Sequence, residues 1–139
     1  SFDLAVTRFS GRPAPLHPGG IPSLPDAITH EAYSHEVMSA GFWAGGGGVD
    51  EAMIYAYAYP TPEGFRDGPI APGAARWDDA LGEFLLPYAD VRAAPDPAAA
   101  LLTFLDRAYA AAADRADWDR DGLDAPVGVP RVPRAVPGS

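Results

Sequence analysis

The segment from Ala52 to Tyr59 constrains the fold more than any other part of this sequence. It reads Ala-Met-Ile-Tyr-Ala-Tyr-Ala-Tyr, so a tyrosine recurs at every second position: Tyr55, Tyr57 and Tyr59. Successive side chains of a β-strand point to opposite faces of a sheet, and aromatic and β-branched residues favour strands. The segment therefore predicts a strand with one tyrosine face and one small apolar face, which needs neighbouring strands and a covered core.

Other segments supply those neighbours. Residues 2–9 alternate as a strand does, and residues 32–43 form a strand or a short helix that the glycine run 45–48 ends. We expect the segments before and after this run to pair as a hairpin, and residues 75–78 and 83–88 to form a second, weaker one. The register of the first hairpin stays open, because a glycine-rich loop does not fix it. Pairing of odd-numbered residues places His35 on the tyrosine face, and a shift by one residue places Glu36 there.

One long helix is predicted near the C-terminus. Asp96 is a suitable N-cap, Pro97 occupies the favoured first helical position, and the helix runs to about Trp118. We expect it to cover the tyrosine face of the sheet. Its predicted apolar stripe contains Ala98, Leu101, Leu102, Leu105, Tyr109 and Ala112.

The predicted fold class is α+β: a mainly antiparallel sheet with long Pro/Gly-rich loops and one long C-terminal amphipathic helix packed on it. Residues 1–118 form a single domain, and residues 119–139 form a flexible tail that contains Pro and Arg. Because the sequence opens inside a strand and without an initiator Met, we expect this domain to be half of a larger protein. Its expected partner is therefore a missing N-terminal half.

Composition excludes several functions. The net charge of −9 disfavours nucleic acid as a partner, and no apolar run approaches a membrane-spanning length. The absence of cysteine removes thiolate metal ligands and thiol nucleophiles, and it fits a cytoplasmic location. Acidic residues follow the glycine run and would repel a phosphate, and no dinucleotide or hydrolase motif is present. We therefore predict no cofactor and no metal, and the identity of any small-molecule ligand stays open.

The densest group of reactive side chains lies in residues 30–36. His30 and His35 are five residues apart, which does not match the spacing of a zinc-binding helix. Glu31 and His35 share a face of either a helix or a strand, so they are candidates for two ligands or for an acid that orients a histidine base. With Glu36 they form the candidate catalytic set, although a histidine held in a core by a carboxylate is the more common arrangement.

The tyrosine row is the candidate ligand-binding set. Tyr55, Tyr57 and Tyr59 would line a pocket or stack against a ligand ring. Such rows more often pack beneath a helix, with the hydroxyl groups reaching the rim. The sequence alone does not choose between these arrangements.

Five segments in order carry a family resemblance: SFDLAVTRFSGR at 1–12, EAYSHE at 31–36, GFW at 41–43, YAYAYP at 55–60 and LGEFLLPY at 81–88. Together they resemble the C-terminal half of the bacterial family catalogued as domain of unknown function 5996. The resemblance implies a longer bacterial protein and supplies no established activity, cofactor or catalytic residue. Ala44 stands where the family usually has Pro, and His30 stands where Arg is common.

Two functional hypotheses follow. In the first, the chain is a non-catalytic structural or binding half-domain that its N-terminal half completes. In the second, it is a metal- or small-ligand-binding enzyme domain that uses Glu31, His35 and Glu36. The first is preferred, because the chain holds no complete catalytic motif.

Overall fold

The computed structural model of the chain describes residues 2–126 and 128–133. The structure does not describe Ser1, which falls in the predicted domain, or Val127 and residues 134–139, which fall in the predicted tail. Within the described residues, the strands are β1 (Asp3–Pro13), β2 (His35–Trp43), β3 (Met53–Tyr59), β4 (Arg76–Asp78) and β5 (Glu83–Pro87). They form one antiparallel sheet in the order β1-β2-β3-β5-β4. The helices are α1 (Asp26–Ala32), α2 (Tyr88–Ala93), α3 (Pro97–Arg115) and α4 (Arg120–Leu123), with a 3-10 turn at Phe65–Asp67. The predicted α+β class is confirmed.

Both predicted hairpins are present. β2 and β3 pair across the glycine run, in which Gly45 to Gly48 all have positive φ angles that only glycine adopts readily. β4 and β5 form the second hairpin. In the first, odd-numbered residues pair with odd-numbered residues, such as Ser39 with Tyr57. This register puts His35 on the tyrosine side of the sheet and Glu36 on the opposite side.

Helix α3 begins as predicted, because the Asp96 side chain accepts a hydrogen bond from the Ala99 backbone N–H at 3.0 Å. The predicted stripe is confirmed in part: Tyr109 and Ala112 are buried, and Leu101 and Leu105 pack against the core. Phe104 is fully buried, whereas Leu102 is 58% exposed. Alanines on all sides of the helix give little contrast between its faces, so a prediction based on the leucines included the exposed Leu102 and omitted the buried Phe104. The buried residues of α3 are Phe104, Ala108, Tyr109, Ala111, Ala112 and Ala113.

The expectation that α3 covers the tyrosine face is wrong. The helix packs on the opposite face, against residues that include Ile54, Ala56 and Ala58 of β3. Small alanines on both the helix and the strand let the two backbones approach closely. Tyrosine hydroxyl groups buried under the helix would instead have needed polar partners in the core. The tyrosine face is thereby left free of α3.

Strand β1 forms one edge of the sheet and pairs only with β2. Gly41 makes this pairing close, since a Cβ at that position would overlap the Leu4 carbonyl oxygen. α3 makes its sheet contacts mainly with β3 and β2. Leu4 and Val6, which point to the helix side of β1, are therefore 67% and 60% exposed. Within the described residues, no helix is long and apolar enough to cross a membrane.

Residues 14–34 lead from β1 to β2 and contain α1, a short helix that the sequence did not predict. This segment brings His17 and Tyr33 onto the tyrosine side of the sheet. In the segment predicted as a flexible tail, Asp119 caps α4 through the Gly122 backbone N–H, and the Tyr109 hydroxyl donates to Asp124 at 2.5 Å.

Candidate functional site

The tyrosine side of the sheet carries a cluster of aromatic rings. Tyr55 and Tyr57 stack on β3 with ring centroids 6.2 Å apart. Tyr33 lies 5.1 Å from Tyr59 in an edge-to-face arrangement, and His17 stacks on Tyr33 at 4.9 Å. Offset stacked and edge-to-face pairs are the favoured geometries of aromatic rings, so the cluster stabilises its own arrangement.

Hydrogen bonds hold the tyrosine hydroxyl groups in place. The Tyr55 hydroxyl donates to Asp3 Oδ2 at 2.5 Å, and the Tyr59 hydroxyl donates to the Pro15 carbonyl oxygen at 2.9 Å. The hydroxyl groups of Tyr33 and Tyr57 share a hydrogen bond of 3.2 Å. Burial, followed by these neighbouring groups, raises the pKa of Tyr55 and of Tyr57 above the ordinary value. Both remain neutral phenols at physiological pH, which makes them polar contacts and not bases.

The rings line two adjoining depressions that together we name the tyrosine trough. One has a volume of about 320 Å³ and the other about 290 Å³, and they share Tyr57, Leu81 and Glu83. The first is also lined by His17, Tyr33, Tyr59, Thr61 and Gly82, and the second by Asp3, Trp43 and Tyr55. The mixture of aromatic walls with a few polar groups resembles that of small-molecule sites, and each depression is wide open to solvent.

Glu83 is the most perturbed acid of the trough. It begins β5 two residues before Leu85, which pairs with Tyr55, so its side chain lies on the tyrosine side. Burial raises the pKa of Glu83 to about 7, and the carboxylate of Asp78, its direct cross-strand partner, adds to the rise. Within the described residues Glu83 forms no ion pair, and no Arg lines the trough.

His17 adds a polar group at one end of the trough. The Gly19 backbone N–H donates to its Nδ1 at 3.0 Å. An Nδ1 that accepts a hydrogen bond leaves the proton of the neutral ring on Nε2. His17 can therefore donate one hydrogen bond from Nε2.

The predicted catalytic residues do not meet in the structure. Glu31 is exposed on α1, and His35 is exposed at the start of β2, where its Nδ1 lies 3.0 Å from the Ser34 hydroxyl. Glu36 points to the opposite side of the sheet and accepts hydrogen bonds from Ser10 at 2.7 Å and from Arg12 Nε at 2.9 Å. In the described part of the chain, no three His, Asp or Glu residues lie close enough to hold a metal ion.

The environment of Glu36 indicates a structural role. Arg12, its partner, also donates hydrogen bonds to the backbone carbonyls of Ala116 and Asp117 just beyond the end of α3. Carbonyls at a helix C-terminus have no partners inside the helix, so a guanidinium group that binds them stabilises the helix end. Glu36 thus orients an arginine that joins β1 to α3.

A larger depression of about 960 Å³ lies on the helix side and is lined by residues that include Arg8, Tyr109 and Arg120. Three of its charged groups, Arg8, Arg120 and Asp124, already have partners inside the protein. The Arg8 guanidinium lies 4.2 Å from the Tyr109 ring centroid, and Arg120 forms ion pairs with Asp114 and Asp124. Its wall also includes residues on both sides of Val127, which is not described. The tyrosine trough is therefore the stronger candidate site.

The sequence identified only part of this trough. Tyr55, Tyr57 and Tyr59 were candidates because of their spacing, and the structure brings all three together. His17, Tyr33, Asp3 and Glu83 were missed, because only the fold places their separate segments beside β3. The one available signal was Glu83 itself, a charged residue that opens the otherwise apolar strand Glu-Phe-Leu-Leu-Pro.

Comparison with known proteins gives one match. A model described as "Family of unknown function (DUF5996)" matches residues 1–125, which include the whole sheet, the trough and α3. No curated protein and no solved structure matches the chain.

Proposed function

Because the chain belongs to the family of unknown function DUF5996, which offers no activity to transfer, we propose from its geometry that it is a non-catalytic domain that binds a small molecule in the tyrosine trough. The observation that carries this proposal is the trough itself. Aromatic rings held by hydrogen bonds surround a half-buried carboxyl group on the sheet face opposite to α3. A rigid aromatic wall loses little entropy when a ligand binds.

The chemistry of the two central tyrosines favours a binding role over a catalytic one. The raised pKa values of Tyr55 and Tyr57 keep both phenols protonated, so neither serves as a base or nucleophile. The alternative enzyme domain would use Glu31, His35 and Glu36. Those residues lie apart, and Glu36 is already engaged with Ser10 and Arg12.

A fragment screen followed by two-dimensional NMR tests the proposal. We expect fragments to shift the amide signals of residues around Tyr57 and Leu81, and Tyr57→Ala to weaken their binding at least about tenfold. Tyr88→Ala is the matched control, because Tyr88 is a partly exposed tyrosine that packs against Phe42 away from the trough. Fragments that bind both variants equally, or that bind only elsewhere, would contradict the proposal.

A second proposal concerns the edge of the sheet. We propose that the chain is the C-terminal half of a longer protein whose N-terminal half pairs with β1. This is supported by the edge strand β1 of eleven residues, whose apolar side chains Leu4 and Val6 are largely exposed, and by Phe2, which precedes the strand and is 72% exposed. Long exposed edges with apolar side chains are usually covered or blocked in native proteins.

The test of the second proposal uses the full-length protein. We expect the N-terminal half to raise the melting temperature and to protect the β1 amides from hydrogen exchange. Val6→Asp should remove most of that gain, whereas Leu102→Asp, at an exposed position on α3, should not. An unchanged melting temperature and unchanged β1 exchange would refute the pairing.

We further propose that the protein works in the bacterial cytoplasm. The family resemblance supports the bacterial origin, and the absence of cysteine is compatible with a reducing compartment. Fractionation of a bacterial host that carries the natural gene, followed by immunodetection, tests the location. Recovery of the protein in the periplasmic or secreted fraction would contradict it.

A further inference from the structure

The walls of the tyrosine trough define which ligands gain energy there. Tyr33, Tyr57 and Tyr59 are half-buried, and all three rings line the depression of about 320 Å³ in the trough. The face of an aromatic ring carries negative partial charge and attracts a cation placed over it. Such a contact contributes about 0.5–2 kcal/mol per ring, more when the cation leaves water.

The charges in the trough have one sign. Glu83 lines both depressions and Asp3 lines the smaller one, and within the described lining there is no Arg to balance them. The Tyr55 hydroxyl binds one oxygen of Asp3, which holds this carboxyl at the trough. The chain as a whole has a net charge of −9. An anionic ligand would be repelled at every stage of its approach, and a cation would be attracted.

The kind of cation follows from the groups available to bind it. A metal ion such as Ca²⁺ needs six or more oxygen ligands, and the described residues contain no cluster of three acidic or histidine side chains. A primary ammonium group needs several hydrogen-bond acceptors to replace its water, and Asp3 is already engaged by the Tyr55 hydroxyl. An alkylated ammonium group donates few or no hydrogen bonds and gains most from aromatic walls.

We infer that the tyrosine trough recognises an organic cation, namely an alkylated ammonium group that contacts the rings of Tyr33, Tyr57 and Tyr59 and is balanced by the carboxylate of Glu83. This inference rests on the proposed small-molecule function and adds the chemical class of the ligand. The rest of such a ligand extends into the adjoining depression of about 290 Å³, where Asp3 and Trp43 lie.

The experiment compares two ligands of the same shape, one cationic and one neutral, and adds a small anion as a control. Choline and its neutral carbon isostere, 3,3-dimethylbutanol, are titrated separately into the folded chain at pH 8 and constant ionic strength, with acetate as the anionic control. Binding is followed by NMR shifts of residues around Tyr57 and Leu81. We expect choline to bind at least about tenfold more tightly than its neutral isostere, and acetate to leave these signals unchanged.

Two variants locate the effect. Glu83→Gln keeps the shape of the side chain and removes its charge, so it should weaken choline binding about tenfold while leaving the isostere unaffected. Glu51→Gln makes the same change at an exposed position outside the trough and should have no effect. Tyr57→Ala should weaken both ligands, because it removes a wall of both depressions.

The outcomes separate this inference from the function on which it rests. If the neutral isostere binds as tightly as choline, or if fragments bind in the trough while choline does not, the ligand class is wrong and the small-molecule function stands. If neither choline nor any fragment shifts the trough signals, both fail. Choline binding that Glu83→Gln leaves intact would remove Glu83 from the recognition.

Discussion

Glu83 makes the stability of this protein depend on pH in a way that one substitution can isolate. Its carboxyl is half-buried beside Tyr57 and lies directly opposite Asp78. In the folded chain these surroundings raise its pKa from the ordinary 4.5 to about 7. The unfolded chain therefore releases this proton near pH 4.5, whereas the folded chain keeps it until about pH 7. Glu83 consequently destabilises the fold progressively as the pH rises through that interval, and the penalty is constant above it.

The size of the penalty follows from the pKa of Glu83. A rise from 4.5 to about 7 corresponds to at most about 3.5 kcal/mol, since one pKa unit is worth about 1.4 kcal/mol. Solvent screens a half-buried carboxyl, which reduces the expected penalty to about 1–2 kcal/mol. Glutamine resembles the protonated acid in shape and cannot ionise. Glu83→Gln should therefore match the parent protein near pH 4.5 and exceed its stability by about 1–2 kcal/mol at pH 8.

Urea unfolding at several pH values between 4.5 and 8 measures this difference. Subtracting the parent free energy of unfolding from that of Glu83→Gln cancels the contributions of the other acids, provided that they are unaffected by the substitution. Glu51→Gln, at an exposed position, removes the same charge and serves as the control. A difference that is independent of pH, or one that the control reproduces, would refute the claim that the environment of Glu83 raises its pKa.

Two further predictions concern packing. Phe104→Ala should lower the free energy of unfolding by about 3–5 kcal/mol, because the ring is fully buried under the sheet. Leu102→Ala, at a site that is 58% exposed, should change it by about 0.5 kcal/mol or less in the same urea assay. Equal losses would mean that α3 is rotated from its described position. Gly41→Ala should lower the free energy of unfolding by about 1–3 kcal/mol, since the new Cβ would overlap the Leu4 carbonyl oxygen. It should also accelerate hydrogen exchange of the β1 amides, and unchanged exchange would contradict the close pairing of β1 with β2.

Local patterns were sufficient to predict most of the secondary structure. The alternation of Tyr55, Tyr57 and Tyr59 identified β3, and the glycine run identified its hairpin with β2. Asp96 and Pro97 located the start of α3 to the residue. Each of these signals acts over a few neighbouring residues, so the sequence contains it completely. α1, α2 and α4 were missed, because helices of four to seven residues are too short to show a helical period.

The candidate site could be predicted only in part. The sequence supplied the three tyrosines of β3, but it also directed attention to Glu31, His35 and Glu36, which the fold separates. Proximity along the chain indicated a shared site for those three, yet the turn after α1 and the alternation of β2 send them in different directions. The partners of the tyrosines come from β1, from residues 14–33 and from β5, at distances along the chain that no local pattern reports.

By itself, the sequence determined β3 and the long helix, because backbone sterics, capping and the period of apolar side chains act locally, and it left residues 32–43 open between a strand and a short helix. The tertiary structure alone decided which face of the sheet the helix covers. That choice depends on how closely two surfaces approach, and the alanines of α3 fit against Ala56 and Ala58 better than against a row of tyrosines. The same choice left the tyrosine face open and placed Glu83 beside it, where burial and the carboxylate of Asp78 raise its pKa.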